Sequence, residues 1–127
     1  MKVERLDRLC IGVPDLEEAK ETFGRLLGLE FEFSGDVVMP DHTTIRMAIS
    51  DQGIELLEVP GKEIHLRSFH FKVDDLPKAK EWMMENQVPV VNEFSVGKMD
   101  EVVLNLFGLR TILIDYPGTS PGEAAKG

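Results

Sequence analysis

Two stretches decide how this chain folds: VPDLEEAKE, Val13 to Glu21, and VDDLPKAKE, Val73 to Glu81. Six of the nine letters agree at a constant offset of 60 residues: Val13/Val73, Asp15/Asp75, Leu16/Leu76, Ala19/Ala79, Lys20/Lys80 and Glu21/Glu81. That offset is close to half of the 127 residues, so the chain reads as one unit written twice.

Just before each stretch stands a short alternating run, RLCIGV (8–13) and SFHFKV (68–73), with a bulky apolar residue at every second place, as a half-buried strand requires. The stretches themselves open helices. Asp15 is a good N-cap, with Glu18 in capping-box position and an apolar stripe of Leu16, Ala19, Phe23, Leu26 and Leu27 before Gly28. Asp75 caps the second helix, Pro77 falls in its tolerant first turn, and Leu76, Ala79, Trp82 and Met83 form the stripe ahead of Asn86 and Pro89. Three strand-like segments follow each helix: EFEFSG, TTIRMAIS and GIELLEVPG, then VPVVNEF, EVVLNLF and RTILIDYPG. One such unit leaves a sheet face bare, whereas two together close it. The expected organisation is one domain over 1–117, with module 1 at about 3–61 and module 2 at about 64–117. The small, polar residues 118–127 are expected to form a flexible tail.

With 43% hydrophobic residues, the chain can bury the core of one domain. No apolar run approaches the roughly 20 residues needed to cross a bilayer, and the charged MKVERLDRL has no export h-region, so a cytoplasmic protein without membrane contact is expected. The lone Cys10 cannot form an internal disulfide, in keeping with a reducing compartment. A net charge of -9 argues against a nucleic-acid partner, because phosphate binding needs a basic surface. There is no Ser-His-Asp order, phosphate-cradling G-x-x-x-x-G-K or G-x-G-x-x-G, which removes the common hydrolase and nucleotide readings.

The paired βαβββ units, with V-x-D-L-x-x-A at both helix starts, L-G-L at the first helix end and G-x-E-L at 53–56, resemble the vicinal oxygen chelate superfamily. That group includes glyoxalase I, methylmalonyl-CoA epimerase, extradiol dioxygenases and bleomycin resistance proteins. The resemblance covers residues 3–117 and implies an α+β fold: two modules curling into a half-open mixed-sheet barrel, helices outside and a ligand cavity inside. Strand parity then assigns the inner wall. With Leu9, Ile11 and Val13 against the helices, Arg8, Cys10 and Gly12 face inward, as do Ser68, His70 and Lys72. Arg46, Glu55, Leu57, Ile112, Ile114 and Tyr116 complete the set, and a one-residue slip on any strand would invert its share.

The resemblance also implies where a metal would sit. Metal-dependent members carry a His five residues before the last Val of each opening strand and a Glu on each closing strand, a set of N and O ligands suited to a divalent ion. The matching residues here are Arg8, Ser68, Glu55 and Ile112, so three of the four donors are missing. A displaced trio of Cys10, Glu55 and His70 is the alternative. Without an ion a buried Glu55 would cost on the order of several kcal/mol, so an Arg8–Glu55 ion pair is expected in place of the metal. His42 and His65 fall in loops or strand edges. Trp82, Met83 and Met84 are assigned to core or subunit contact.

The leading expectation is a metal-free, cofactor-free, homodimeric binder of a small organic molecule, similar to bleomycin resistance proteins. Arg8, Cys10, Arg46, Glu55, Leu57, Ser68, His70, Lys72, Ile112, Ile114 and Tyr116 would line the cavity between its modules. The alternative is an enzyme with lyase, epimerase or dioxygenase chemistry, using a displaced divalent metal, or Glu55 or His70 as a general base. A third possibility is an interaction module whose cavity is filled by its own side chains.

Overall fold

In the computed structural model, which describes all 127 residues, the chain runs β1 (Val3–Val13), α1 (Leu16–Leu27), β2 (Phe33–Val38), β3 (Thr44–Ser50), β4 (Ile54–Glu58), β5 (His65–Val73), α2 (Leu76–Glu85), β6 (Val90–Val96), β7 (Met99–Leu106), β8 (Leu109–Asp115) and α3 (Pro121–Lys126). The repeated helix starts act as their residues dictate. The Asp15 carboxylate accepts from the Glu18 N–H at 3.1 Å and Asp75 accepts from Lys78 at 3.0 Å, each satisfying a donor that the first turn leaves free. Gly28 ends α1 in the left-handed region at φ 66°, where glycine carries no Cβ strain.

All eight strands join one sheet in the order β2-β3-β4-β1-β5-β8-β7-β6. Within each module the opening strand pairs parallel with the closing one, β1 with β4 and β5 with β8, and the other pairings are antiparallel. The modules meet where β1 runs antiparallel to β5, so the half-barrel is completed within a single chain.

That seam carries three register shifts, one at its edge between Val3 and Arg5 and two that shape the interior. From Leu6 to Arg8, β1 advances two residues while β5 advances one, from Phe71 to His70, leaving Asp7 as the extra residue of a bulge. From Cys10 to Ile11, β5 skips from Ser68 to Leu66, and the extra residue is Arg67. Asp7 and Arg67 are 60 residues apart, so both bulges fall at the same place in the repeat.

The convex face packs on the helices. Val13, Leu16, Ala48 and Leu56 form one cluster beneath α1, and Val73, Leu76, Ala79, Met83, Val102, Leu104 and Leu113 form another beneath α2. Leu26, Leu27, Trp82 and Met84 are exposed, so of the three α2 side chains assigned to core or subunit contact only Met83 enters the core. The concave face buries Met47, Ile49, Val96, Met99, Val103, Ile112, Ile114 and Tyr116 together with Ala124 and Ala125. Those two alanines correct the expectation of a flexible 118–127 tail: Pro121–Lys126 is a helix seated inside the half-barrel. Its anchor is Asp51, which accepts from Ser120 Oγ at 2.6 Å and from the Gly122 N–H at 2.9 Å. No helix is long and apolar enough to cross a membrane.

Candidate functional site

Arg8 and His70 lie opposite each other across the β1–β5 seam, as do Cys10 and Ser68, and β4 places Glu55 beside Cys10. Arg8, at 1% exposure, is enclosed by three carboxylates. Its Nε donates to Glu55 Oε1 at 3.0 Å, Nη1 donates to Asp7 Oδ2 at 2.8 Å, and Nη2 stands 3.9 Å from Glu101 Oε2 without a hydrogen-bond partner. The ion pair expected between Arg8 and Glu55 is therefore present. Burial alone would lower the arginine's proton affinity, but Glu55, Glu101 and Asp7 more than offset it and the value rises, so the guanidinium is a permanent cation.

The bulge that turns Asp7 inward extends this network to the surface. Tyr116 Oη donates to Asp7 Oδ1 at 2.7 Å and accepts from Arg5 Nη2 at 2.9 Å. Burial, then the bond to Asp7, pushes the Tyr116 hydroxyl up to about 12, so it stays protonated and holds Asp7 in place.

On the other side of Arg8, Glu101 Oε1 lies 3.5 Å from His70 Nε2. This contact is not an ion pair at neutral pH. Burial, reinforced by the charge of Arg8, lowers His70 to about 3 and leaves a neutral ring whose Nδ1 has no partner. Glu101 moves in the opposite sense: burial pushes it up to about 7, although Arg8 and Arg110 pull against that rise. One guanidinium cannot neutralise three buried carboxylates, and Glu101 is the one that keeps a proton near neutrality.

These side chains border a cavity of about 40 Å³. Six of the residues expected on the inner wall line it: Cys10, Glu55, Leu57, Ser68, His70 and Ile112. Arg8 lies behind the wall, holding Glu55. Ile114 and Tyr116 are buried in the inner core, and Lys72 sits 3.3 Å from both Glu4 and Asp115, so these three do not reach the cavity. Arg46 is the error of parity: it faces outward to Asp36 at 3.3 Å, and its neighbour Met47 takes the inward place. A wider, open groove of about 400 Å³ at the start of α2 shares only the residues Phe94 and Glu101 with the cavity.

Four functional candidates escape simple parity or the family ligand positions. Asp7 and Arg67 are turned inward by the bulges, which alternation cannot show. Glu101 keeps phase with inward Met99 and Val103, and Arg110 with Ile112, so a charge at an inward place of an apolar strand was the available signal. His42 lies in the exposed β2–β3 turn. His65 packs its ring against Gly12, where any Cβ would collide with it.

The donors do not suit a metal. Arg8 and Ile112 have no lone pair to offer, Glu55 is engaged by Arg8, and no three His, Cys, Asp or Glu side chains converge, Cys10, Glu55 and His70 included. Cys10 is no thiolate either, because burial, then Glu55, raises it well above the ordinary cysteine value.

Residues 5–108 match the Glyoxalase/Bleomycin resistance protein/Dioxygenase superfamily. The chain belongs to this superfamily. Among solved structures, this glyoxalase-superfamily chain is similar to Streptomyces coelicolor methylmalonyl-CoA epimerase in complex with 2-nitronate-propionyl-CoA, at 18% identity and a TM-score of 0.76, over 92% of this chain and 100% of that one. The Mycobacterium tuberculosis methylmalonyl-CoA epimerase gives 19% identity and a TM-score of 0.76, over 91% and 90%. At these identities the likeness is one of fold. No curated protein sequence matches the chain.

Proposed function

We propose that this chain is an enzyme that moves a proton on a small organic molecule without a metal, Glu101 taking the proton and returning it. The observation that carries the reading is the Glu101 carboxyl buried on the cavity wall, 3.5 Å from His70, where burial pushes its pKa up to about 7. An acid-base group works best when its pKa lies near the working pH, and burial has brought this one there. Neutral His70, 3.5 Å away, can face Glu101 as hydrogen-bond acceptor when the carboxyl is protonated or as donor when it is ionised, according to tautomer. Glu55, which with His70 was the base expected from sequence, is engaged by Arg8 and serves to hold that cation. Epimerisation at carbon is proton removal and return, so the epimerases that share this fold favour the same class of step.

Cavity size argues against the bleomycin-type expectation. Drug-sized ligands occupy about 300–1,000 Å³, whereas about 40 Å³ admits only a small head group. One observation still favours a non-catalytic, metal-free pocket: Arg8 stands where metal-dependent relatives have a ligand and is already surrounded by carboxylates.

Solvent exchange separates these readings. Small 2-oxo acids, carboxylic acids and thioesters with acidic C–H bonds would be incubated with the protein in D₂O and followed by proton NMR. The expected result is loss of a C–H signal that is indifferent to EDTA and slower by roughly 10²-fold or more in Glu101→Gln. Exchange abolished by EDTA would replace this reading with a metal enzyme, and binding without exchange would replace it with the binder.

A further inference from the structure

The six arginines of this acidic chain divide into two groups. Arg5, Arg8, Arg25 and Arg46 are each ion-paired to a carboxylate. Arg67 and Arg110 are not, although the chain has 23 acidic residues against 14 basic ones. These two unpaired guanidiniums both line the inner cavity. They come from adjoining strands, since β5 and β8 pair with Phe69 opposite Thr111, and the Arg67 bulge brings the first of them inward beside Ser68. The Nε of Arg110 is buried and has no acceptor. Burial, then the like charge of Arg67, holds Arg110 below the ordinary arginine value, against a smaller opposing pull from Cys10 and Glu101.

We propose that Arg67 and Arg110 anchor the carboxylate group of the molecule this cavity takes. Two forked donors facing one small space match a planar two-oxygen acceptor. A neutral head group would leave both charges unanswered, and a cation would add to their repulsion. Size favours carboxylate over phosphate: a cavity of about 40 Å³ holds roughly three waters, about the bulk of a carboxylate and its neighbouring carbon. Ser68 offers a further hydroxyl, while Met47 and Ile112 give that carbon apolar walls. This deepens the proton-transfer reading, since a carboxylate held here places its neighbouring carbon in the chamber that contains Glu101. The anchor also stands if that reading fails, because it concerns binding alone.

The test is thermal unfolding of the full chain with acetate, malonate, inorganic phosphate or neutral acetamide, at ionic strength matched with chloride. Acetate and malonate are expected to raise Tm saturably, and acetamide to leave it unchanged. Arg67→Gln or Arg110→Gln should weaken apparent malonate affinity roughly tenfold or more, and the double variant should lose the response. Neither substitution breaks an ion pair, so ligand-free Tm should change little. On wild-type protein, the ¹⁵N Nε–Hε signals of these two arginines should move with added acetate. Glu101→Gln should keep the malonate response, and wild-type protein that binds carboxylates but exchanges no C–H proton would count against the catalytic reading and leave the anchor standing. The anchor is overturned if the double variant responds as wild type does, if acetamide acts equally, if no carboxylate exceeds the chloride control, or if phosphate binds more tightly than the carboxylates.

Discussion

Arg8 is tolerable in the interior only because Asp7, Glu55 and Glu101 surround it, and they in turn depend on its charge. Arg8→Met would strand those carboxylates, a loss of about 3–5 kcal/mol that urea unfolding at pH 7 checks. Glu101 and His70 add pH terms of opposite sign. Glu101 binds its proton more tightly when folded, so its share of stability falls as pH rises from about 4.5 to about 7. His70 resists protonation when folded, so its share falls as pH drops from about 6.5 to about 3. The two oppose each other between about 4.5 and 6.5. Glu101→Gln removes one of them, and its stability relative to wild type should climb by about 3 kcal/mol from pH 4.5 to pH 7 in urea titrations. Sequence reached the Arg8–Glu55 pair because both residues lie in regular strands at places the repeat aligns. It did not reach Asp7 or Arg67, because a bulge reverses alternation and leaves no mark in residue type.

Among the elements, α3 is the one that composition concealed. Its residues are small and polar, with Pro121 and Gly122 in the first turn and only Ala124 and Ala125 to bury, so no apolar stripe announces it. The legible cue was a capping box: Ser120 Oγ accepts from the Glu123 N–H at 3.0 Å. Small residues are what the seat requires, for a Cβ on Gly122 would come within 2.5 Å of Glu32 Cβ, and one on Gly97 would strike the Ala124 and Ala125 carbonyls. Asp51 ties the helix to the end of β3. Asp51→Ala should cost about 1–2 kcal/mol, since two donors lose a charged acceptor. Deleting 119–127 should cost more, about 2–4 kcal/mol, and raise the fluorescence of an apolar dye by uncovering the concave core.

For the whole molecule, duplication supplies a frame and divergence supplies the charge. Leu57 and Ile114 hold the same place in their modules; the residue opposite Leu57 is Met47 and the residue opposite Ile114 is Glu101. Equivalent positions thus carry a core methionine in one half and the titrating acid in the other, just as Arg8 answers to Ser68 and Cys10 to His70. Neither half holds a complete network: module 1 brings Asp7, Arg8 and Glu55, while module 2 brings Arg67, His70, Glu101 and Arg110. The concave core is shared in the same way, with Met47 and Ile49 from the first half against Val96, Met99, Val103, Ile112 and Ile114 from the second. The α3 helix belongs to the second half by sequence yet is held by Asp51 of the first. Separate fragments 1–62 and 63–127 should therefore each be largely unfolded by circular dichroism. Each would expose one edge of the β1–β5 seam and half of the inner core, and fragment 1–62 would also bury Arg8 without Glu101. Mixed in equal amounts, they should recover the folded spectrum and a single species of the full chain's size. A fragment 1–62 that folds alone would show that the half-barrel's stability resides in the module, not in the seam between modules.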